Sequence, residues 1–292
     1  MWEVFEEYRL LLTKHNYKEP SDAMRDARIL VKSGKLQELY ASVVVDEAQD
    51  FGVQAFKLLR SLVPEGKNDL FIVGDAYQRI YGHKIVLGQC GVKIVGRSRK
   101  LKLNYRTTDE IRKWAVRLFE NREMDDLDSG VDTQKDYKSL YHGPAPEIKL
   151  FENFDDEIIA IKKYIDTLVI EDNSAKICLV LRTKKLRNEY SQRLSEIGIS
   201  TLVLHKDTRD DLIKNSVRVA TMHRVKGLDF DHVIIASVND GIVPLGVQYQ
   251  SSEELIKEEG ILRERSLLFV SATRAKKTLL ITSYGKQSAL IT

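Results

Sequence analysis

The feature that most constrains this fold is the alternation of short β-branched runs with segments of helix length. Between residues 147 and 284 this pattern predicts five strands and three helices. Strands that alternate with helices in this way are typical of α/β domains with a mostly parallel sheet. The predicted strands are Glu147–Phe151, Lys176–Leu181, Val217–Met222, Val233–Ser237 and Thr278–Tyr284, and the predicted helices are Asp155–Val169, Lys184–Ile197 and Glu253–Phe269.

The first part of the chain carries the same kinds of pattern in shorter pieces. Residues 1–40 have apolar side chains at helical spacing, so we expect helices there, with Ser21 and Asp22 capping the second. The short apolar runs that follow are typical of buried parallel strands. Helices are expected before Pro64 and again through Trp114 and Leu118, the first of them from its apolar residues Phe56, Leu58, Leu59 and Leu62. The strand candidates are Ala41–Val45, Leu70–Val73 and Leu101–Leu103.

The length of the chain, 292 residues, exceeds what one compact core usually contains, so two domains are expected. The best candidate for a boundary is the acidic, polar stretch 121–146, which ends in Gly143-Pro144-Ala145-Pro146. Composition of this kind predicts a loop or linker.

Composition excludes several classes of protein. No apolar run approaches the roughly 18 residues that span a bilayer, and the N-terminus has no signal-peptide pattern, so a cytoplasmic protein is expected. Two cysteines exclude a disulfide framework and a cysteine-rich zinc site. The net charge of +3 permits nucleic-acid binding through a local groove without demonstrating it.

Two adjacent carboxylates follow the first predicted strand, in the string DEAQD at 46–50. Ligands of open α/β sheets bind at the carboxyl ends of the strands. Asp46 there could hold Mg²⁺ through water, and Glu47 could orient and deprotonate an attacking water. The alternative interpretation is a solvated acidic turn.

The second predicted strand ends in the string GDAYQRIYG at 74–82. Gln78 is a neutral donor and acceptor, suited to contact a terminal phosphate or its attacking water. Tyr81 and His83 could stack on bases. The alternatives are a core aromatic at position 81 and an ordinary surface histidine at position 83.

Two arginines, Arg106 and Arg274, stand where a predicted element begins or ends. A guanidinium stays charged and can donate two hydrogen bonds to a phosphate as negative charge develops on it. Each arginine taken alone is also compatible with a structural role.

Taken in order, the strings DEAQD, GDAYQRIYG, LNYRTT, TMHRVKGLDFDHVIIA and LLFVSATRA resemble motifs II to VI of the UvrD/Rep/PcrA family of superfamily 1 helicases. The resemblance covers roughly residues 43–280. It implies an α/β fold with two RecA-like (P-loop NTPase type) parallel-sheet domains. It also implies that ATP and Mg²⁺ bind between these domains and that single-stranded DNA lies across them.

The resemblance assigns a role to individual positions of this sequence. It implies that Asp46 and Glu47 are the magnesium-binding and water-activating pair and that Gln78 is the phosphate sensor. The other nucleotide contacts that it implies are stacking of adenine on Tyr105, γ-phosphate contacts from Arg106 and Arg274, close approach at Gly227 and a ribose contact from Asp229. The DNA contacts that it implies are Tyr81, His83, Thr221 and His223.

The sequence departs from the family pattern at four places. Asp229 stands where the family usually has Glu, and His83 stands where a tryptophan commonly stacks on a base. The span from 106 to 221 is too short for the large insertion called 2B. No Gly-x-x-x-x-Gly-Lys-Ser/Thr loop, which cradles the β- and γ-phosphates, occurs in the sequence.

These departures predict the C-terminal part of a longer helicase. We expect residues 1–106 to be an N-terminally truncated RecA-like domain 1A, with a helical remnant of region 1B at 1–40. Residues 107–292 are then RecA-like domain 2A with little or no 2B insertion. The expected partners are single-stranded DNA, ATP and the missing N-terminal part of the same protein, with no membrane partner and no oligomer implied.

The predicted function is that of an ATP-dependent DNA helicase or translocase on single-stranded DNA, with 3′-to-5′ movement implied by the resemblance alone. Such an enzyme would serve DNA repair, replication restart or recombination, and the fragment by itself is expected to be inactive. The alternative is a non-catalytic module, derived from a helicase, that binds single-stranded nucleic acid or a protein. RNA as the substrate also stays open, because backbone contacts and stacking do not select DNA.

Overall fold

The fold is described from a computed structural model of the chain, which divides into two compact units. The first comprises Met1–Arg99 with Asp125–Asp132, and the second comprises Lys100–Met124 with Thr133–Thr292. The boundary was expected after residue 106, and the division into RecA-like domains stays a prediction. The structure describes residues 2–34, 40–81, 85–120, 122, 124–125, 130–132, 136–205, 216–246 and 254–291, without the side chain of Leu255.

Seven helices and twelve strands lie within these described ranges. The helices are α1 (Trp2–Lys14), α2 (Pro20–Lys32), α3 (Val53–Ser61), α4 (Asp109–Arg117), α5 (Phe154–Glu171), α6 (Lys184–Glu196) and α7 (Glu254–Ala272). The strands are β1 (Val43–Val45), β2 (Leu70–Ile72), β3 (Leu103–Thr108), β4 (Met124–Asp125), β5 (Val131–Asp132), β6 (Lys138–Tyr141), β7 (Glu147–Phe151), β8 (Ile177–Leu181), β9 (Thr201–Val203), β10 (Val217–Thr221), β11 (Phe230–Ile235) and β12 (Ala275–Tyr284).

The first unit is built around β1 and β2, which pair in parallel with Val45 opposite Ile72. Helix α3 packs beside them, with Phe56 in the same buried cluster as Val45. The expectation that both strands are buried was wrong for one face, since Val44 is 73% exposed and Phe71 64%. Side chains alternate across a strand, so one face of this sheet packs on the core and the other faces solvent.

Helix α2 begins one residue before the expected cap. Its N-cap position is Glu19, which makes no side-chain capping bond, and Pro20 occupies the first turn. Proline suits that position because its missing N–H has no intrahelical acceptor there. Ser21 and Asp22 therefore lie inside the helix instead of capping it, and the Asp22 carboxylate pairs with Arg9 at 2.9 Å.

The second unit contains a six-stranded sheet in the order β7-β12-β11-β8-β10-β9, with every neighbouring pair parallel. This confirms the predicted mixed α/β architecture with a parallel sheet. The ends of the five strands and three helices predicted after residue 147 differ from the observed ends by at most three residues. Strand β9, which pairs with β10, was not predicted.

The region from 101 to 146 differs more from the expectation. Strand β3 includes Asn104, Tyr105 and Arg106, which were expected to follow a strand at 101–103. The stretch expected as a loop contains β4, β5 and β6, and β6 pairs in parallel with β3. Gly143 lies against this pair, where an added Cβ would be 2.8 Å from the Cγ2 atom of Thr108.

Among the described residues, no helix combines the length and the apolar composition that crossing a bilayer requires.

Candidate functional site

In the first unit, Asp46 and Glu47 form a tight turn directly after β1. The N–H of Glu47 donates to Oδ1 of Asp46 at 2.8 Å. Glu47 has a φ of 51°, in the left-handed region that residues other than glycine rarely adopt. Backbone strain of this kind occurs preferentially at functional sites, so the turn is a candidate for chemistry.

Gln49 connects this turn to the end of β2. Its side chain is buried, with 3% exposed. The Nε2 amide donates to Oε2 of Glu47 at 2.5 Å, and Oε1 accepts from the N–H of Asp75 at 2.9 Å. Neither Gln49 nor Asp75 was predicted to have a role, although the amide side chain within the acidic string DEAQD is a signal that points to Gln49.

Asp75 extends the connection to the predicted phosphate sensor. Its Oδ1 atom accepts from the N–H of Tyr77 at 3.0 Å, and its Oδ2 atom accepts from Nε2 of Gln78 at 2.9 Å. Glu47, Gln49, Asp75 and Gln78 therefore form one continuous hydrogen-bonded series, which we call the carboxylate–amide chain. It brings together two residues, Glu47 and Gln78, that the sequence placed at the ends of different strands.

Tyr81 and His83, the predicted stacking residues of the first unit, come shortly after Gln78 in the sequence. The ring of Tyr81 is 48% exposed, and His83 lies outside the described residues. Between Gln78 and Tyr81, the Arg79 guanidinium binds Asp125 through two hydrogen bonds of 2.6 and 2.9 Å. This pair joins the segment after β2 to β4, so Arg79 has a structural role here.

In the second unit, the structure brings together Arg106 and Asp229. The Nε atom of Arg106 lies 2.9 Å from Oδ1 of Asp229, and Nζ of Lys276 lies 3.5 Å from its Oδ2. Tyr105, the residue before Arg106 in the sequence, is 66% exposed. Gly227 has a φ of 79°, and no atom outside its own neighbourhood lies within 4 Å of the position of a Cβ there. Its backbone is therefore open to close approach.

Arg274 occupies a different environment from the one that a phosphate contact needs. Its side chain is only 2% exposed. Nε donates to the carbonyl of Val270 at 3.0 Å, in the last turn of α7. The guanidinium thus caps a helix end, and contact with a phosphate would require it to leave this position.

Thr221 and His223 lie at the carboxyl end of β10. The Thr221 carbonyl accepts from the N–H of Arg224 at 2.8 Å. Burial lowers the pKa of His223, and the charges of Arg182 and Arg263 lower it further. A neutral imidazole at this position can donate or accept hydrogen bonds and can stack, but it adds no positive charge near neutral pH.

Asp46 is the only one of the predicted site residues proposed as a metal ligand. No group of three or more His, Cys, Asp or Glu side chains suited to a metal ion occurs in the described ranges. Mg²⁺ needs no such group, because it keeps several waters and binds through one or two carboxylates and the phosphates of a substrate. The exposed carboxylate of Asp46 at the end of a parallel strand fits that mode of binding.

Comparison with known proteins gives consistent matches along the chain. Residues 99–209 and 199–286 match the UvrD-like helicase C-terminal domain, and residues 2–85 match the UvrD/REP helicase N-terminal domain. A probable DNA helicase of Mycoplasma pneumoniae is 25% identical over 299 residues, which cover 96% of this chain and 51% of that protein. The DNA helicase II of Rickettsia typhi is 28% identical over 167 residues, covering 53% and 25%.

Shorter matches include the ATP-dependent DNA helicase Rep of Buchnera aphidicola subsp. Schizaphis graminum, 37% identical over 91 residues, covering 31% of this chain and 13% of that protein. A solved structure, the C-terminal domain of a possible DNA helicase from Lactobacillus plantarum WCFS1, aligns with a TM-score of 0.45 at 18% identity. It covers 64% of this chain and 91% of the solved one. The chain spans at most about half the length of these three curated relatives.

Proposed function

The chain belongs to the UvrD-like helicase family, and from that premise we propose that it forms part of an ATP-dependent DNA helicase that moves along single-stranded DNA. In this proposal both units are RecA-like and the protein moves 3′ to 5′ along the strand. The residues that contact ATP are those at the matching positions of the family motifs. The observation that carries the proposal is the carboxylate–amide chain.

The carboxylate–amide chain supports a division of labour between Glu47 and Gln78. Glu47 orients and deprotonates the attacking water, and the Gln49 amide fixes its carboxylate by donating to Oε2. Gln78 meets the terminal phosphate and is held by Asp75. Because both side chains belong to one hydrogen-bonded series, a change at the phosphate sensor reaches the water-activating carboxylate without any large movement.

Asp46 would hold Mg²⁺ together with the phosphates of ATP. When bound, the ion neutralises charge that develops on the transferred phosphoryl group. The protein positions the Asp46 carboxylate for this role. The N–H of Glu47 donates to Oδ1 of Asp46, which leaves the second carboxylate oxygen for water or an ion.

In the second unit we assign the nucleotide contacts to Tyr105, Arg106, Gly227, Asp229 and Arg274. Tyr105 is exposed enough to stack on a base. Asp229 pairs with Arg106, and a phosphate that carries more charge than one carboxylate would compete for the same guanidinium. In the proposed DNA track, Tyr81 and His83 stack on bases, and Thr221 and His223 contact the strand.

The test uses the full-length protein and compares binding of ATP with its hydrolysis. Arg106→Ala and Arg274→Ala should each slow DNA-stimulated hydrolysis by roughly a thousand-fold or more while changing ATP affinity much less, because arginines that meet charge in the transition state act on kcat. Glu47→Gln should bind ATP and fail to hydrolyse it.

A suitable control is Arg193→Ala, which removes an exposed arginine that pairs with Asp155 and Glu196 in the second unit. This variant should hydrolyse ATP at the wild-type rate. Equal losses of binding and turnover in Arg106→Ala and Arg274→Ala would assign both arginines to structure. A full-length protein without DNA-stimulated hydrolysis would refute the helicase proposal and favour a binding module.

A further inference from the structure

The chain contains a long segment without acidic residues, and the proposed function uses only part of it. Between Asp75 and Asp109 there are eight lysines and arginines and no aspartate or glutamate. Acidic residues make up 43 of the 292 positions, so about five would be expected in a stretch of this length. The segment has no carboxylate of its own, so the carboxylates that pair with its cations, such as Asp125 with Arg79, come from other parts of the chain.

Part of this segment folds against the loop before β2 in the first unit. Nζ of Lys93 pairs with Glu65 at 2.8 Å, and NH2 of Arg97 pairs with Asp69 at 3.0 Å. The same guanidinium nitrogen lies 3.5 Å from the carbonyl oxygen of Lys67. These contacts bring the cations of two separate loops onto one surface.

The two carboxylates at this surface do not balance its cations. Asp69 is 4% exposed and binds Arg60 at 2.6 Å as well as Arg97, so two guanidiniums share one buried negative charge. Hydrogen bonds from Arg97 and Arg60 hold the pKa of Asp69 well below its ordinary value, and it stays ionised. We call Arg60, Lys67, Lys93, Arg97 and Arg99 the basic surface, including Arg99 because it is exposed and stands two residues after Arg97. Among the described residues, the carboxylates that pair with these cations are Glu65 and Asp69.

The segments that form the basic surface lack the aromatic side chains that bind single-stranded DNA by stacking. Single-stranded DNA is held by base stacking on aromatic rings as well as by phosphate contacts. Residues 57–69 and 85–99, which supply the basic surface, contain no phenylalanine, tryptophan, tyrosine or histidine. Cations without stacking platforms suit a ligand whose phosphates are exposed and whose bases are already paired and stacked.

The geometry points to the basic surface as a binding site for the phosphate backbone of duplex DNA. This inference rests on the proposed function, and it adds a second kind of DNA contact to the single-strand track at Tyr81, Thr221 and His223. A helicase that stands at a junction meets both forms of DNA, and two separate surfaces would allow it to hold both. The contact reads no sequence, because phosphates carry none directly.

The experiment measures binding of the 292-residue chain to labelled DNA by anisotropy over a series of salt concentrations. The ligands are a blunt duplex and an oligo-dT of the same length. The variant is the triple substitution K67Q/K93Q/R99Q, which leaves Arg97 and its buried partner Asp69 intact. The matched control, K149Q/K163Q/K286Q, removes three exposed lysines of the second unit.

We expect the triple variant to weaken duplex binding by about ten-fold or more at low salt. Its slope of log affinity against log salt should be shallower by about 2 to 3, since each neutralised phosphate contributes about 0.9 to that slope. Binding of oligo-dT should change little. Y81A should show the converse pattern, and the control variant should match the wild type, with all variants giving the wild-type circular dichroism spectrum.

Several outcomes would overturn this inference. Unchanged duplex binding in the triple variant would remove the basic surface from DNA binding, and equal losses for duplex and oligo-dT would assign it to the single-strand track. Competition by poly-glutamate as strong as that by duplex DNA would indicate an acidic protein partner. A wild-type chain that binds oligo-dT but no duplex would refute the inference and leave the proposed function standing, whereas failure to bind either would count against both.

Discussion

Gln49 offers the sharpest test of the carboxylate–amide chain, because one buried amide makes two of its hydrogen bonds. Gln49→Ala removes the donor to Glu47 and the acceptor for the N–H of Asp75. A buried group that loses its partner costs about 1–3 kcal/mol. Since about 1.4 kcal/mol corresponds to a factor of ten in an equilibrium constant, the local opening that exposes the Asp75 amide should become roughly 5 to 150 times more frequent.

Hydrogen exchange at the Asp75 amide reports this opening directly. It is measured by NMR, or by mass spectrometry on a peptide that covers the end of β2. Gln54→Ala is the matched control, because Gln54 lies in α3 of the same unit and its side-chain oxygen is buried without a hydrogen-bond partner. That variant should leave the exchange of Asp75 near the wild-type rate.

Gln49→Glu separates the two halves of the effect. A glutamate side chain keeps an oxygen for the Asp75 N–H but places a second carboxylate beside Glu47, where the two negative charges repel each other. Exchange at Asp75 should then stay slow near neutral pH. If Gln49→Ala leaves the Asp75 amide as protected as in the wild type, the carboxylate–amide chain does not hold the two strand ends together, and its proposed role in orienting Glu47 fails.

Two further predictions concern pH and the isolated chain. Burial raises the pKa of Glu157, which accepts hydrogen bonds from Tyr190 and from the N–H of Ser237; its contribution to stability is therefore complete below the ordinary glutamate pKa and is lost as pH rises through the raised value. Glu157→Gln should flatten this part of the dependence of thermal unfolding on pH, and an unchanged profile would assign the dependence to other groups. The isolated chain should show negligible ATP turnover, because its sequence has no phosphate-binding loop. DNA-stimulated turnover that disappears in Glu47→Gln would contradict this reasoning.

The middle of the six-stranded sheet was largely predictable because β8, β10 and β11 are buried along almost their whole length. All five side chains of β8 are buried, and such strands are continuous apolar runs that differ clearly from the helices around them. Strand β9 escaped prediction because it has only three residues, all of them half-buried. In the first unit, the apolar side chains of Val44 and Phe71 predicted that both are buried. They are exposed because they lie on the face of the two-stranded sheet that no other described part of the chain covers.

The candidate site was predictable only where its residues belong to one short string. Glu47 and Gln78 stand in recognisable strings, whereas the link between them depends on Gln49 accepting from a backbone N–H 26 residues later. No local pattern contains that information. The burial of Arg274 was unpredictable for a related reason: a long cationic side chain can extend to solvent or fold back on a helix end, and packing decides between them.

In the proposed function, the Val270 carbonyl and a bound phosphate would compete for the guanidinium of Arg274. As described above, its Nε donates to the Val270 carbonyl at the end of α7. A side chain that left to meet a phosphate would leave that carbonyl with only the more distant Thr273 hydroxyl, at 3.2 Å, among its described side-chain donors, and would loosen the last turn of the helix. If Arg274 contacts the nucleotide as proposed, binding of the nucleotide would then be detectable as fraying at the C-terminal end of α7.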